Sequence, residues 1–411
     1  MARNNVILML FCMAASKILL LNLSSCTIKS EQKPYADTLA PYVEFIEKQT
    51  TNPVDYVFEL FDKYDIVILG ERDHRDTTQY ILIEKIISDP RFIQKIGHVF
   101  TEIGVCNQTD NANRILKSNY SSENDFTCDL RNLYRNIDYE ILWGNYNYWY
   151  FLNSIYRINK DLPYDEKITL HFTDVPFDWT TCRDMTTRKE FQRRMDSGCY
   201  RDLAMGINII KGFDRILQDS NECRKKSLII LNSPHSYQNY ICVTSKGMLY
   251  PLNSAASYVF DYYPGKVANI MINTKRNMDD KNYFAADGKW DAAFHFLKNP
   301  DIGFDMESSP FGDDLFDLYD RPVSNEIRYK DIFTGFIFYL PIEEWALTQG
   351  IPGIVTEDFY TELMRRERIN SSVYGENPNK LKSNLKFYNN KQTFHIKDRE
   401  LSQNLKKWKV K

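Results

Sequence analysis

The stretch Asp65-Ile-Val-Ile-Leu-Gly-Glu-Arg-Asp-His74 constrains the fold more than any other part of this chain. Four apolar residues, Ile66 to Leu69, read as a short buried strand. Gly70 stops the run, and Glu71 and His74 follow within four residues. The pattern then predicts a helix over about 77–88, capped by Thr77 or Thr78, with Tyr80, Ile81, Ile83, Ile86 and Ile87 at its apolar positions. Open parallel sheets present chemistry where a strand runs through glycine into polar residues and then a helix, at the carboxyl ends of the strands. Glu71 and His74 are therefore expected at the centre of an active site to which later strands add.

The alternation continues along the chain. After a helical stretch over 36–63 and this first strand, strands are expected at 97–102, 167–174, 227–231, 266–272 and 332–339. Strands alternating with helical stretches imply an α/β fold, a mostly parallel sheet flanked by helices. Residues 107–160 carry a mostly helical, aromatic-rich pattern that includes Trp143-Gly-Asn-Tyr-Asn-Tyr-Trp-Tyr150, and read as a helical insertion forming a wall or lid. One long helix is expected over 186–219, a loop excursion over 276–330, and a C-terminal helix with a solvated basic tail over 355–411. The main α/β domain then spans 36–354.

A net charge of -3 gives no basis for nucleic-acid binding. The apolar run from Val6 to Leu23, broken by Lys17, ends in Leu23-Ser-Ser-Cys26, which is similar to a bacterial lipobox. It implies a lipoprotein signal peptide over 1–26, lipidation at Cys26, a polar tether over 27–35, and an exported protein lipid-anchored to a membrane of the bacterial cell envelope. Of the eight cysteines, six lie beyond this leader. Cys106–Cys128 and Cys182–Cys199 are candidate local disulfides, with free thiols as the alternative.

Polar residues gather at the predicted strand exits. Glu71 and His74 leave the first strand, Glu102 ends the second, Asp174 and Asp178 leave the third, and His235 leaves the fourth. A parallel sheet brings all of these to one edge. His98 and His171 lie inside strands and are read as satisfied core residues, while His295 and His395 receive no role.

Gly70-Glu-Arg-Asp-His74 resembles the Gly-Glu-x-x-His motif of the erythromycin-esterase-like and ChaN-like superfamily. Val99-Phe-Thr-Glu102, Leu228-Ile-Ile-Leu-Asn-Ser-Pro-His235 and Phe333-Thr-Gly-Phe-Ile-Phe338 are similar to its later strands, so the likeness runs over roughly 65–340. Asp73 and Arg75 replace the Thr and Gly usual beside the motif histidine in esterases. Asn232-Ser-Pro-His235 replaces a His-Asn-x-His loop, so one family histidine is missing.

The resemblance implies a hydrolase in which His74 activates water for an unknown small-molecule or peptide ester or amide, as an imidazole titrating near neutrality can. Glu71 or Glu102 would orient His74, and His235 would bind the oxyanion or protonate the leaving group. No cofactor is required in that reading. Glu71, His74, Glu102 and His235 also compose a mixed imidazole and carboxylate set of the kind that holds zinc, iron or manganese. A different class of function is a haem- or iron-binding surface lipoprotein, with the aromatics of 143–150 on the porphyrin and His74 or His235 as axial ligand. A third is a degenerate ligand-binding scaffold. No Gly-x-Ser-x-Gly elbow occurs, which leaves Ser236 as a weak nucleophile candidate.

Overall fold

The apolar runs become the strands of one seven-stranded sheet. The computed structural model describes residues 37–408 apart from 196–199, 240, 246–247, 279–280, 320–326, 375–386 and 397–398. Its main strands are β1 (Ile66–Glu71), β2 (His98–Val105), β3 (Thr169–Asp174), β4 (Ser227–Asn232), β5 (Val267–Ile272), β6 (Ile302–Asp305) and β7 (Gly335–Phe338). They lie in the order β6-β7-β5-β1-β4-β2-β3. Every neighbouring pair is parallel except β6 with β7. The fold is α/β, with a mostly parallel sheet flanked by helices.

β1 lies between β4 and β5 and is buried along its whole length, which accounts for its unbroken apolar run. On one face of the sheet pack the helices Pro53–Lys63, Thr77–Ser88, Thr109–Lys117 and Tyr146–Lys160, through residues such as Tyr56, Ile83, Ile115 and Phe151. On the other face the helix Tyr200–Gln218 presents Met205, Ile209, Phe213 and Ile216, a helical stripe, to Ile66, Ile68, Phe100 and Ile229. It lies close to the sheet because residue 212 is glycine. A Cβ there would come within 2.5 Å of the Phe100 ring.

Several expectations are corrected. Asp76, not Thr77 or Thr78, caps the helix Thr77–Ser88, its carboxylate accepting from the Thr78 amide at 2.8 Å. The span 186–219 holds two helices, Met185–Met195 and Tyr200–Gln218. The expected loop excursion contains a hairpin (Lys275–Met278 with Lys281–Phe284), the helix Lys289–Phe296 and β6. β6 is four residues long and includes a glycine, too little to show a period. The C-terminal segment is also structured. Gln392–His395 pairs antiparallel with Ala346–Gln349, and the helix Arg399–Lys407 follows, with the Trp408 indole donating to the Asp287 carbonyl at 3.1 Å. Cys106, Cys128, Cys182 and Cys223 are free thiols, so no Cys106–Cys128 disulfide forms. Cys26 and the rest of 1–36 lie outside the described residues, as does Cys199. No helix among the described residues is long and apolar enough to cross a membrane.

Candidate active site

The register of the sheet brings the strand exits together. Glu71, the last residue of β1, is level with Asn232, the last residue of β4. β2 pairs regularly with β4 up to Thr101 and then bulges, its register with β3 shifting between Thr101 and Val105. A bulge inserts extra residues into one strand and redirects its side chains. Gly104 makes this one feasible: its φ is +121°, and a Cβ would collide with the Phe172 ring at 2.2 Å. The carbonyl of Ile103, displaced from the ladder, accepts from the hydroxyls of Thr101 at 2.9 Å and Tyr148 at 2.7 Å. Glu102, inside the bulge, is turned to the carboxyl edge, where its carboxylate accepts from the Asn232 amide at 2.6 Å.

His74 stands between two carboxylates. Its Nδ1 is 2.9 Å from Glu71 Oε2, and its Nε2 is 3.7 Å from Glu102 Oε1. Glu71 is itself held: Gln79 Nε2 and Asn147 Nδ2 each donate to its Oε1 at 3.3 Å. The Trp143 ring meets the His74 ring edge-on, with centroids 5.3 Å apart. His235 is arranged similarly. Its Nδ1 lies 2.7 Å from Asp202 Oδ1 and its Nε2 lies 3.7 Å from Glu102 Oε1. All four predicted residues, Glu71, His74, Glu102 and His235, are therefore within one network.

The centre of that network is a residue the sequence reading did not select. Arg201, in the first turn of Tyr200–Gln218, donates from Nε and Nη2 to the Asp174 carboxylate and from Nη2 to Glu102 Oε1 at 3.0 Å. Its Nη1 is 3.3 Å from His235 Nε2. Asp202, its neighbour, both partners His235 and accepts from the Ala255 amide at 2.8 Å, tying this helix to the next. Arg201 and Asp202 begin a helix and leave no strand, so the strand-exit rule passed over them. Of the two aspartates after β3, Asp174 joins the site. Asp178 instead shapes its own turn, accepting from the Thr180 amide at 2.7 Å. Ser236 is fully buried and donates to the Ser233 carbonyl, so it is not a nucleophile.

The electrostatics alter the expected role of His74. Burial draws its pKa down, but Glu71 and Glu102 outweigh burial and push it up to about 9. The imidazole is a cation at neutral pH, not the neutral base the sequence suggested. His235 is also pushed up, because Glu102 and Asp202 overcome its burial. Burial alone would raise Glu102, yet the charges of His235, Arg201 and His74 hold it well below the usual carboxylate range. Arg201 stays charged despite its burial because Asp174 and Glu102 face it.

This donor set does not fit a metal ion or a haem iron. The guanidinium of Arg201 already sits where a cation would lie between Glu102 and Asp174. Each imidazole has its Nδ1 on a carboxylate and its Nε2 3.7 Å from Glu102, so the nearest anion to both free ring nitrogens is one that Arg201 already occupies. Among the described residues no group of three His, Cys, Asp or Glu side chains is arranged to hold a metal.

A cavity of about 440 Å³ opens above His74, lined by Arg72, Asp73, Arg75, Asn145, Trp345 and Gln349 among others. Arg72 braces its wall. The buried guanidinium pairs with Asp76 at 2.6 Å, donates to Asn273 Oδ1 at 3.0 Å and the Tyr339 carbonyl at 2.8 Å, and lies 4.0 Å from the Trp345 ring centre. The two charges flanking the motif histidine largely cancel: Arg75 donates from Nη2 to Asp73 at 2.8 Å.

No family model and no curated protein matches the chain. Similar solved structures do exist. Two of them are an erythromycin esterase and a ChaN protein. The first, a His-to-Asn mutant of EreC in its open conformation, is 10% identical, with 71% of this chain and 96% of that one covered and a TM-score of 0.38. The second, ChaN of Campylobacter jejuni with cofacial haem, is 13% identical, with 56% and 88% covered and a TM-score of 0.33. A succinoglycan biosynthesis protein is 10% identical, with 74% and 97% covered and a TM-score of 0.44. All three are distant likenesses of fold.

Proposed function

We propose that the chain is a hydrolase that cleaves an ester or amide with a water activated by His74. The observation that carries this reading is the line Glu71–His74 beneath an open cavity, a base held by a carboxylate that is itself oriented by Gln79 and Asn147. A base held by a third group is the arrangement general-base catalysis uses. His74 Nε2 takes a proton from water, and the water oxygen attacks the carbonyl carbon. Glu71 stabilises the imidazolium that forms. Arg201 and His235 supply positive charge for the oxyanion; as it collapses, the bond between the carbonyl carbon and the leaving group breaks, and the leaving group takes the proton held by the His74 imidazolium. The raised pKa sets a condition. With a value of about 9, roughly one His74 in a hundred is neutral at pH 7, so turnover climbs with pH.

The test is a panel of nitrophenyl esters and anilides followed between pH 6 and 10. Turnover that rises with a midpoint near pH 9 and is abolished in His74→Ala supports the reading. Turnover retained in that variant on every substrate of the parent sinks it.

We also propose export and lipid anchoring through Cys26, on the strength of Leu23-Ser-Ser-Cys26. Incorporation of an azide-labelled palmitate analogue in the parent and its loss in Cys26→Ser would support this; equal labelling would refute it.

A further inference from the structure

We propose that Lys117 is a nucleophilic amine that captures an aromatic aldehyde as an imine, in a second reactive site at the amino end of the sheet. The inference goes beyond the hydrolase reading and shares no residue with it.

A cavity of about 820 Å³ lies at the end of the sheet away from His74, walled by residues of the helices Thr109–Lys117 and Tyr200–Gln218. A space of about 430 Å³ adjoins it, and Asp110, Asn113, Lys117 and Tyr164 line both. Lys117 is the last residue of its helix and belongs to the shared wall.

The amine is held by a neutral group. Its Nζ donates to Thr169 Oγ1 at 2.6 Å, and it forms no ion pair among the described residues. The carboxylates of Asp110, Asp165, Glu166 and Asp219 line the walls as well, yet none pairs with it. Arg215 and the neutral imidazoles of His98 and His171 complete the charged and titratable lining with Glu222 and Arg224.

Two buried cations lie near Lys117 and are fixed by other partners. Lys167 donates to the Lys117 carbonyl at 2.8 Å and to Asn119 Oδ1 at 3.3 Å. Arg224 grips Glu222 through Nε and Nη2, each at 2.9 Å, so both oxygens of that carboxylate are occupied. Burial and Arg224 draw the Lys117 amine down to about 8, with Glu222 opposing and Lys167 assisting. Desolvation and a neighbouring cation are how a lysine becomes a nucleophile.

Magnitudes decide whether this matters. Near pH 7.5 about a quarter of Lys117 is neutral, against about one in a thousand for an ordinary lysine. A less basic nitrogen attacks more slowly, and by the slope that holds for thiols the loss is about tenfold. The gain of about two-hundredfold in neutral amine outweighs it.

The neutral amine can keep one N–H on Thr169 Oγ1 and still offer its lone pair to a carbonyl. Tyr164, 74% exposed, has its ring centre 5.7 Å from Nζ and gives an aromatic aldehyde a face to lie against. The Nζ pair bonds to the carbonyl carbon as the C=O π pair moves to oxygen. Solvent carries a proton from nitrogen to that oxygen. The nitrogen pair then forms C=N while the hydroxyl, protonated by solvent, leaves as water, and the iminium returns a proton to solvent. The balance needs no oxidant and no cofactor.

Benzaldehyde and butanal, each with sodium cyanoborohydride, test this on the full chain. The hydride fixes an imine as a secondary amine, and peptide mass spectrometry gives the rate at each lysine. Near pH 7.5 Lys117 should react with benzaldehyde about tenfold or more faster than the median exposed lysine. Its rate should rise with a midpoint near pH 8, whereas ordinary lysines keep gaining to about pH 10. The preference for Lys117 should be larger with benzaldehyde than with butanal, and Tyr164→Ala should remove that excess. Lys117 reacting no faster than the median exposed lysine, or with a midpoint near pH 10, overturns the proposal and leaves the amine as a tie between its helix and Thr169. An equal preference with both aldehydes overturns the aromatic class. No ester turnover enters the readout, so the outcome is independent of whether His74 is catalytic.

Discussion

The two ends of the sheet hold two pairs of histidines with opposite states of charge. At the carboxyl end, His74 and His235 lie among Glu71, Glu102 and Asp202, and both are pushed up, His74 to about 9. At the amino end, His98 Nδ1 lies 3.2 Å from His171 Nε2. Burial pushes His98 down to about 4, with Glu222 opposing and Arg224 assisting; burial, His98 and Lys117 hold His171 well below its ordinary value. The amino-end cavity is the larger, about 820 Å³ against 440 Å³. It contains a neutral imidazole pair and a lysine, Lys117, that burial and Arg224 lower to about 8. The candidate site is therefore not the larger of the two cavities. All four imidazoles are desolvated, and what separates the pairs is the number of carboxylates facing them.

If the carboxyl end is catalytic, His74→Ala should lower kcat by about 10²–10⁴-fold, the range for losing a general base. His98→Gln, at the other end, should leave kcat/KM within about twofold, since surface or remote changes seldom propagate to a site. Comparable losses in both variants would erase the distinction between the two ends.

Arg201 provides the next largest effect. Arg201→Met strands Glu102 and Asp174 as buried carboxylates without their cation, and breaking such a pair costs about 3–5 kcal/mol. Chemical denaturation should show that loss near pH 7 and recover part of it at acid pH, where the stranded carboxylates take up protons. A loss under about 1 kcal/mol would mean that Arg201 is not central.

The pH behaviour sharpens the contrast further. Replacing Glu71 with Gln removes the strongest charge that opposes burial at His74. The alkaline limb of the rate profile, set by a pKa of about 9, should shift toward neutral pH. In the parent, NMR titration should find His74 protonated up to about pH 9 and His98 neutral down to about pH 4. A histidine whose folded pKa is raised stabilises the protein fully below the unfolded value and loses that contribution as pH rises through about 9, whereas His98 opposes folding only at acid pH.

The smallest effect expected is at the bulge. Gly104→Ala puts a Cβ against the Phe172 ring at a φ of +121°, and should destabilise by about 1–3 kcal/mol while lowering turnover through a displaced Glu102. Unchanged stability would show that the bulge tolerates a side chain, and that Glu102 does not depend on it.

Much of this was legible from residues alone. An unbroken apolar run such as Ile66–Leu69 has one good home, a strand buried on both faces, and parallel strands bring their exits to one edge. Glu71, His74 and His235 follow from that geometry, whereas Glu102, read as the end of its strand, lies within β2 and reaches the edge through the bulge. Arg201 and Asp202 do not. They reach the site from the first turn of a helix on the far face, and nothing in Tyr200-Arg-Asp-Leu203 distinguishes them from an ordinary charged start. The protonation of His74 was also hidden, since it depends on distances to two carboxylates from different strands. β6 was missed because four residues cannot carry a period, and the strand 392–395 because its residues are exposed and polar-flanked, supported by a partner distant in sequence.

That late strand has a consequence for how the protein is made. The seven strands of the sheet are complete once residue 338 has been synthesised. The mouth of the cleft is not, because Trp345 and Gln349 belong to a segment whose outer edge pairs with 392–395. Emerging N-terminus first, from a ribosome or across a membrane, the chain delivers every strand of the sheet before its entrance receives its final wall. The nascent chain thus passes through a stage in which the scaffold stands and the cleft is unfinished, so a chain interrupted in that interval would be folded at its core and incompetent at its doorway.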